Sequence, residues 1–140
     1  MDSQPEMREE GIRLGTPHVA LQGCGTILLV EDEAFVRDVT CEVLRAAGYR
    51  VLAARNAVEA LGQYDQWRSE VDLLLTDVIL PGESGRLLAR KLRRDNPELK
   101  VLLVTGYMEQ MGSREAEHEE CLAKPFSSGV LLGRVRQTLA

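Results

Sequence analysis

The chain has 140 residues, 44% of them hydrophobic and 28% charged, which is the size and composition of a single globular domain. Its formal net charge of -5 argues against direct binding of nucleic acid, because phosphate binding needs a basic patch. No apolar run is long enough to span a membrane and no signal-peptide pattern opens the chain, so we expect a cytoplasmic protein.

Residues 1–25 differ in character from the rest of the chain. Polar residues begin this segment, glycines and prolines interrupt it, and its apolar residues are too scattered for a helical stripe or an alternating strand. We therefore predict a flexible leader or interdomain linker over residues 1–25 and one domain over residues 26–140.

The first strand is predicted over Ile27–Val30, a short apolar run that ends in the acids Glu31–Glu33. A helix is predicted over Ala34–Ala47, and Gly48 ends it. The apolar residues at helical spacing that should face the core are Phe35, Val36, Val39, Val43 and Leu44.

A second strand is predicted over Arg50–Ala54, and Asn56 can cap the helix that follows it. The apolar stripe of that helix is Val58, Leu61 and Tyr64. The third strand contains the unbroken apolar run Leu73–Leu75, which is typical of a strand covered on both faces, and it ends at Asp77.

The third helix begins after a capping residue, Ser84, and the fourth strand is predicted over Val101–Val104. This helix turns Leu87, Leu88 and Leu92 to one face. The next stretch, Met108–Glu120, is polar and acidic and has almost no apolar stripe, so any helix there would be short and poorly anchored.

A weak fifth strand is predicted over Cys121–Ala123, followed by Lys124. Ser127 then caps a last helix. The apolar stripe of the last helix is Val130, Leu131, Val135 and Leu139. Five strands alternating with helices predict an α/β fold, a parallel sheet with helices on both faces.

The carboxyl ends of parallel strands share one edge of the sheet, which is where ligands bind in such folds. The residues predicted at that edge are Glu31, Asp32, Asp77, Thr105 and Lys124. Carboxylates about 5 Å apart repel by roughly 3 kcal/mol at an effective dielectric of 20, so the cluster needs a cation. Oxygen ligands favour Mg²⁺, and the added hydroxyl and ammonium groups point to phosphoryl transfer with Asp77 as the nucleophile.

Four segments of this pattern resemble the receiver domain of two-component response regulators, including receivers of hybrid sensor histidine kinases. They are Ile27–Asp32, Asp77–Gly85 (DVILPGESG), Thr105–Gly106 and Lys124–Phe126. The resemblance implies a flavodoxin-like, doubly wound five-stranded sheet of order 2-1-3-4-5. It also implies a phosphoacceptor rather than an enzyme, phosphorylated by a histidine kinase and signalling by a conformational shift.

The resemblance implies a role for each matching residue. Asp77 would accept the phosphoryl group, and Thr105 and Lys124 would contact its oxygens. The Mg²⁺ ligands would be Asp32, Asp77 and the carbonyl of Ile79, with Glu31 acting mainly through water. The Lys124–Pro125 peptide bond would be cis, a minority state even before proline.

Two positions depart from the family pattern. Cys121 stands where the family usually carries the aromatic residue that reports phosphorylation to the last strand and its flanking helices, and Tyr107 is the candidate replacement. Ile79 and Tyr107 occupy the positions that tune the lifetime of the acyl phosphate in the family. Neither is an acid or amide that would orient water, so we expect slow self-dephosphorylation.

Two other functions use parts of the same pattern. A phosphohydrolase of the haloacid dehalogenase type has a strand-end Asp and Mg²⁺, but it also has a second acid at the position of Ile79. A flavodoxin-like nucleotide or flavin binder needs glycines where this chain has Glu31–Glu33.

The expected partners are the kinase and a downstream protein or phosphotransfer partner, for a chain that is a monomer or weak dimer. We expect no output domain after the last predicted helix, and hence a stand-alone receiver or one taken from a hybrid kinase.

Overall fold

A computed structural model describes residues 23–106 and 121–140. Its strands are β1 (Thr26–Val30), β2 (Arg50–Ala54), β3 (Leu73–Asp77), β4 (Lys100–Thr105) and β5 (Cys121–Ala123). They form one parallel sheet in the order β2-β1-β3-β4-β5, which confirms the predicted 2-1-3-4-5 topology. The predictions for residues 1–22, Tyr107 and Met108–Glu120 lie outside the described residues.

Three of the four described helices begin where the sequence predicts a cap, and the first begins after Glu33, which makes no side-chain capping hydrogen bond. Their bounds are α1 (Ala34–Ala46), α2 (Ala57–Trp67), α3 (Gly85–Asp95) and α4 (Ser128–Leu139), with one 3₁₀ turn at Arg68–Glu70. The side chains of Asn56, Ser84 and Ser127 each accept a hydrogen bond from the backbone N–H three residues later, at 2.8, 3.1 and 3.1 Å. None of the described helices is long and apolar enough to cross a membrane.

The sheet has a hydrophobic layer on each face, because successive side chains of a strand point to opposite sides. In β1, Leu28 and Val30 pack in the layer that contains α2 and α3. Ile27 and Leu29 pack in the layer that contains α1 and α4. Each such side chain contributes roughly 1.5–3 kcal/mol when fully buried, so β1 is fixed from both sides up to its acidic end.

The predicted apolar stripe of α1 is wrong in part. Phe35 and Val39 are 76% and 42% exposed, whereas Thr40 and Cys41 are buried beside Leu44. The helix therefore turns the side that carries Cys41 and Leu44 into the layer that contains Ile27 and Leu29. The same correction applies to three other predicted core residues that are exposed, Val58, Leu87 and Val130.

Gly48 ends α1 as predicted and returns the chain to the sheet. Its φ of +104° is in the left-handed region that favours glycine. The Gly48 N–H donates to the Arg45 carbonyl at 3.0 Å and the Tyr49 N–H donates to the Leu44 carbonyl at 3.1 Å, which together close a Schellman motif. This turn leads directly into β2, which pairs with β1.

Candidate functional site

Three carboxylates meet at the carboxyl edge of the sheet. Glu31 directly follows β1 and Asp77 is the last residue of β3, and these two strands are hydrogen-bonded neighbours in which Val30 pairs with Thr76. One oxygen from each of Glu31, Asp32 and Asp77 lies within 4.8 Å of the other two. The convergence predicted from the sequence is therefore present.

Lys124 places an ammonium group between two of these acids. Its Nζ lies 3.1 Å from Oε1 of Glu31 and 3.1 Å from Oδ1 of Asp77. The backbone reaches this position because the Lys124 N–H donates to the Thr105 carbonyl at 2.8 Å, which extends the pairing of β4 with β5. The Lys124–Pro125 peptide bond is cis.

The electrostatics of the site disfavour the charged form of Asp77. Burial raises its pKa to about 7, and the Glu31 carboxyl group adds to the rise, while Lys124 opposes it. Burial lowers the pKa of Lys124, but Asp77 and Glu31 outweigh that effect and leave it above its ordinary value. Lys124 therefore stays charged while its two acidic neighbours compete for it.

Glu31 is buried and is held through both its side chain and its backbone. Oε2 accepts a hydrogen bond from the Glu33 N–H at 3.0 Å. The Glu31 carbonyl accepts one from the Arg37 guanidinium at 2.9 Å, and the Glu31 N–H donates to Ala54 at 3.0 Å. Glu31 also accepts a hydrogen bond from Lys124. This contact is separate from the role that the family resemblance implies for Glu31, which is to bind Mg²⁺ mainly through water.

A cavity of about 480 Å³ opens above the acids. Its lining residues are Glu31, Asp32, Glu33, Asp77, Ile79, Val104, Gly106 and Lys124. Ile79 is 64% exposed at the cavity mouth. Thr105 does not line the cavity, and its fully buried hydroxyl has no hydrogen-bond partner within the described parts of the chain.

Most of the predicted site residues thus lie together, and some contributors were missed. Cys121 is half-buried and packs against the core layer of α2 and α3, while Tyr107 lies outside the described residues. The Glu33 N–H was not predicted, although the acidic run contained its residue. The close approach of Gly85 to Asp77 was not predicted either, since it depends on how α3 packs.

The donor set of the site fits a hard divalent cation. Glu31 and Asp77 are buried and Asp32 is exposed, so one side of the cluster remains open to water. Carboxylate oxygens with room for water are what Mg²⁺ prefers. A divalent charge would also offset the repulsion by Glu31 that adds to the effect of burial on the pKa of Asp77.

Comparison with known proteins agrees with the geometry. Residues 27–136 match the family described as response regulator receiver domain. The sensor kinase CckA of Brucella abortus is 38% identical over 122 residues, which cover 85% of this chain and 13% of the kinase. This chain thus spans only a small part of that relative's length.

Two solved structures are also similar. The receiver domain of hybrid histidine kinase CckA has a TM-score of 0.72 at 37% identity and covers 83% of this chain and all of its own. The response regulator TrrA of Thermotoga maritima, solved in complex with Mg²⁺-BeF, has a TM-score of 0.72 at 29% identity. The match covers 83% of this chain and all of the TrrA chain.

Proposed function

This chain belongs to the response regulator receiver domain family, and from that premise we propose that it takes a phosphoryl group from a histidine kinase onto Asp77. The observation that carries the proposal is the meeting of Glu31, Asp32 and Asp77 beside Lys124. Burying acids that repel one another costs free energy, and a structural role for Asp77 would be met by a neutral side chain. Phosphoryl transfer, in contrast, uses carboxylates, a cation and an ammonium group together.

The proposed reaction is a direct transfer. A carboxylate oxygen of Asp77 attacks phosphorus while the bond from phosphorus to the phosphohistidine nitrogen breaks, and the imidazole takes up a proton from water. Attack needs the ionised carboxylate, which Lys124 favours from 3.1 Å. After transfer the same ammonium group contacts a phosphoryl oxygen.

Mg²⁺ is the cofactor that we propose for this site. Glu31, Asp32, Asp77 and the carbonyl of Ile79 would hold it. When bound, the ion supplies positive charge that offsets the carboxylates and the phosphoryl oxygens. TrrA, a relative by structure, was solved in complex with Mg²⁺-BeF, which supports the assignment.

Thr105 is the proposed reporter of phosphorylation. Its hydroxyl is at the end of β4, next to the cavity residues Val104 and Gly106, and has no partner among the described residues. A phosphoryl oxygen would supply that partner and draw Thr105 towards Asp77. Cys121 cannot act as an aromatic reporter, so the relay to downstream proteins would differ from the usual family pattern.

Several wider expectations stay predictions. Residues 1–25 would be a leader or linker, and the chain would act as a stand-alone receiver or as part of a hybrid kinase. It would work in the cytoplasm as a monomer or weak dimer. It would act on a downstream protein or phosphotransfer partner, and it would be a phosphoacceptor rather than an enzyme that turns over.

The test is phosphorylation by a small donor. The protein is incubated with Mg²⁺ and acetyl phosphate, and its intact mass is measured. We expect one added phosphoryl group in the wild type and none in Asp77→Asn. Asp38→Asn is the matched control, because Asp38 is an exposed acid on α1 and should leave the uptake unchanged.

The alternatives give different results in the same assay. A haloacid dehalogenase-type hydrolase would release phosphate with turnover, and a nucleotide or flavin binder would neither gain mass nor release phosphate. Phosphoryl uptake that persists in Asp77→Asn would contradict the assignment of the acceptor.

A further inference from the structure

The backbone that leaves β3 carries both the acceptor and the carbonyl assigned to the metal. We call the residues Asp77–Ile79 the acceptor turn. The first peptide group of this turn is held to β4, because the Val78 N–H donates to the Val104 carbonyl at 3.0 Å. Beyond this bond the turn leaves the sheet, so its path depends on contacts from outside β4.

Gly85, the first residue of α3, supplies one such contact. Its N–H donates to the Val78 carbonyl at 2.7 Å. A Cβ placed on Gly85 would lie 1.9 Å from the Asp77 carbonyl oxygen and 3.1 Å from Cγ2 of Thr76. Any side chain at this position would have to push α3 away from the acceptor turn.

Thr76 supplies the other contact. Its side chain is fully buried, and its hydroxyl donates to the Asp77 carbonyl at 3.0 Å. This bond fixes the rotation of the peptide group between Asp77 and Val78. Burial of a methyl group alone would be satisfied by valine, so the hydroxyl has a role that core packing does not require.

We propose that Thr76 and Gly85 are positioning residues that hold the acceptor turn for metal binding and phosphorylation. The inference rests on the proposed function, since it takes Asp77 and the Ile79 carbonyl as metal ligands. Mg²⁺ requires near-ideal octahedral geometry at about 2.0–2.1 Å, so a small rotation of this turn weakens its binding. Groups that orient metal ligands typically change metal affinity or activity by about 10- to 100-fold when removed.

The deciding experiment compares Thr76→Val with Thr138→Val. Thr138 is the matched control, because it is also buried and its hydroxyl also donates to a backbone carbonyl, that of Arg134 at 2.8 Å. Thr138 lies in the last turn of α4, roughly 15 Å along the helix from its beginning, which is the end that follows Lys124. Mg²⁺ affinity is measured by calorimetry, phosphoryl uptake by intact mass with acetyl phosphate, and stability by urea unfolding.

We expect Thr76→Val to bind Mg²⁺ about tenfold more weakly than the wild type and to take up phosphate more slowly at limiting Mg²⁺. Thr138→Val should match the wild type in both respects while losing a similar amount of stability. Thr76→Ser should recover the affinity because it restores the hydroxyl. Gly85→Ala should weaken binding at least as much, and Thr76→Val keeps the test decisive if Gly85→Ala does not fold.

A Mg²⁺ affinity for Thr76→Val within twofold of that for Thr138→Val would overturn the inference. Failure of the proposed function would give a different result from failure of this inference. If the wild type binds Mg²⁺ but never gains a phosphoryl group, the acceptor role fails, and the calorimetric comparison still decides the positioning role. Absence of Mg²⁺ binding by the wild type would refute both.

Discussion

At the scale of single residues, the site is defined by carboxylates that repel each other. Glu31 and Asp77 are buried at adjacent strand ends, and Lys124 is shared between them. Burial first, and then the neighbouring Glu31 carboxyl group, raises the pKa of Asp77 to about 7, so Asp77 retains a proton at pH values where an exposed aspartate would have lost it. The single ammonium group of Lys124 opposes this rise without cancelling it. A divalent ion would supply the missing positive charge, both for the carboxylates and for the oxygens of an incoming phosphoryl group.

The first prediction concerns the stability of the metal-free protein. The pKa of Asp77 is about 7 in the folded protein, against an ordinary value of 3.8, so between these values the folded state binds more protons than the unfolded chain. Its contribution to stability therefore falls as the pH rises from about 4 to 7. We expect Asp77→Asn to raise the free energy of unfolding at pH 8 by about 1–2 kcal/mol, less than the full shift because Lys124 loses a partner.

The free energies of unfolding of the wild type and of Asp77→Asn are compared by urea unfolding with EDTA at pH 5 and pH 8. The gain from Asp77→Asn should be larger at pH 8 than at pH 5, and Asp38→Asn should change little at either pH because that side chain is exposed. A gain of the same size at both pH values would mean that Asp77 does not titrate as described.

The second prediction concerns the lifetime of the phosphorylated state. Ile79 is 64% exposed at the mouth of the cavity and offers water no hydrogen bond. An asparagine amide there could orient an attacking water, so Ile79→Asn should speed phosphate loss roughly tenfold, equivalent to about 1.4 kcal/mol in the barrier. The readout is the fraction of phosphorylated protein against time after the donor is removed.

Val58→Asn is the control for Ile79→Asn. Val58 is 79% exposed on α2 and does not line the cavity, so its replacement also exchanges an exposed β-branched side chain for asparagine but does not touch the site. Wild-type phosphate loss as fast as that of Ile79→Asn would count against the lifetime-tuning role.

At the scale of elements, the turn after α1 sets where β2 enters the sheet. Gly48 has φ +104°, and a Cβ on it would lie 2.8 Å from the Gly23 carbonyl oxygen. We therefore expect Gly48→Ala to lower the free energy of unfolding by at least about 1 kcal/mol.

Gly62 provides the opposite case for comparison. It is exposed within α2, and a Cβ there would meet no atom within 4 Å. Gly62→Ala should raise the free energy of unfolding by about 0.5–1 kcal/mol, because alanine loses less conformational entropy in a helix. If urea unfolding shows that Gly48→Ala leaves the free energy of unfolding unchanged or raises it, as expected for Gly62→Ala, the account of Gly48 is wrong.

The sequence predicts the elements and the strand-end residues better than the rotation of each helix. Strand ends are readable because an acid or lysine directly after an apolar run has no packing reason to be there. The buried face of α1 was mispredicted at Phe35 and Val39, because periodicity locates apolar residues, whereas packing against the sheet buries the side that carries Cys41 and Leu44. Thr76 and Gly85 were missed for a related reason, because the role of Gly85 depends on how closely α3 approaches β3, and that of Thr76 depends on the direction of its hydroxyl at the end of β3.

At the scale of the whole molecule, the site exists only when the sheet is complete. Glu31, Asp77 and Lys124 belong to separate parts of the sequence and meet because β1, β3 and β5 run parallel with their carboxyl ends at one edge. The whole chain carries a formal net charge of -5, and Glu31, Asp32 and Asp77 concentrate negative charge at this edge. Attraction of a divalent ion therefore depends on how the fold places these three acids and does not follow from the overall charge alone.

The most direct test of the account is to locate the phosphoryl group on the chain. The protein is treated with acetyl phosphate in Mg²⁺ or in EDTA, reduced with borohydride, which converts an aspartyl phosphate to homoserine, and mapped by peptide mass spectrometry. The account predicts homoserine at position 77 in Mg²⁺ and none in EDTA. Homoserine at another aspartate, or equal conversion without Mg²⁺, would contradict it.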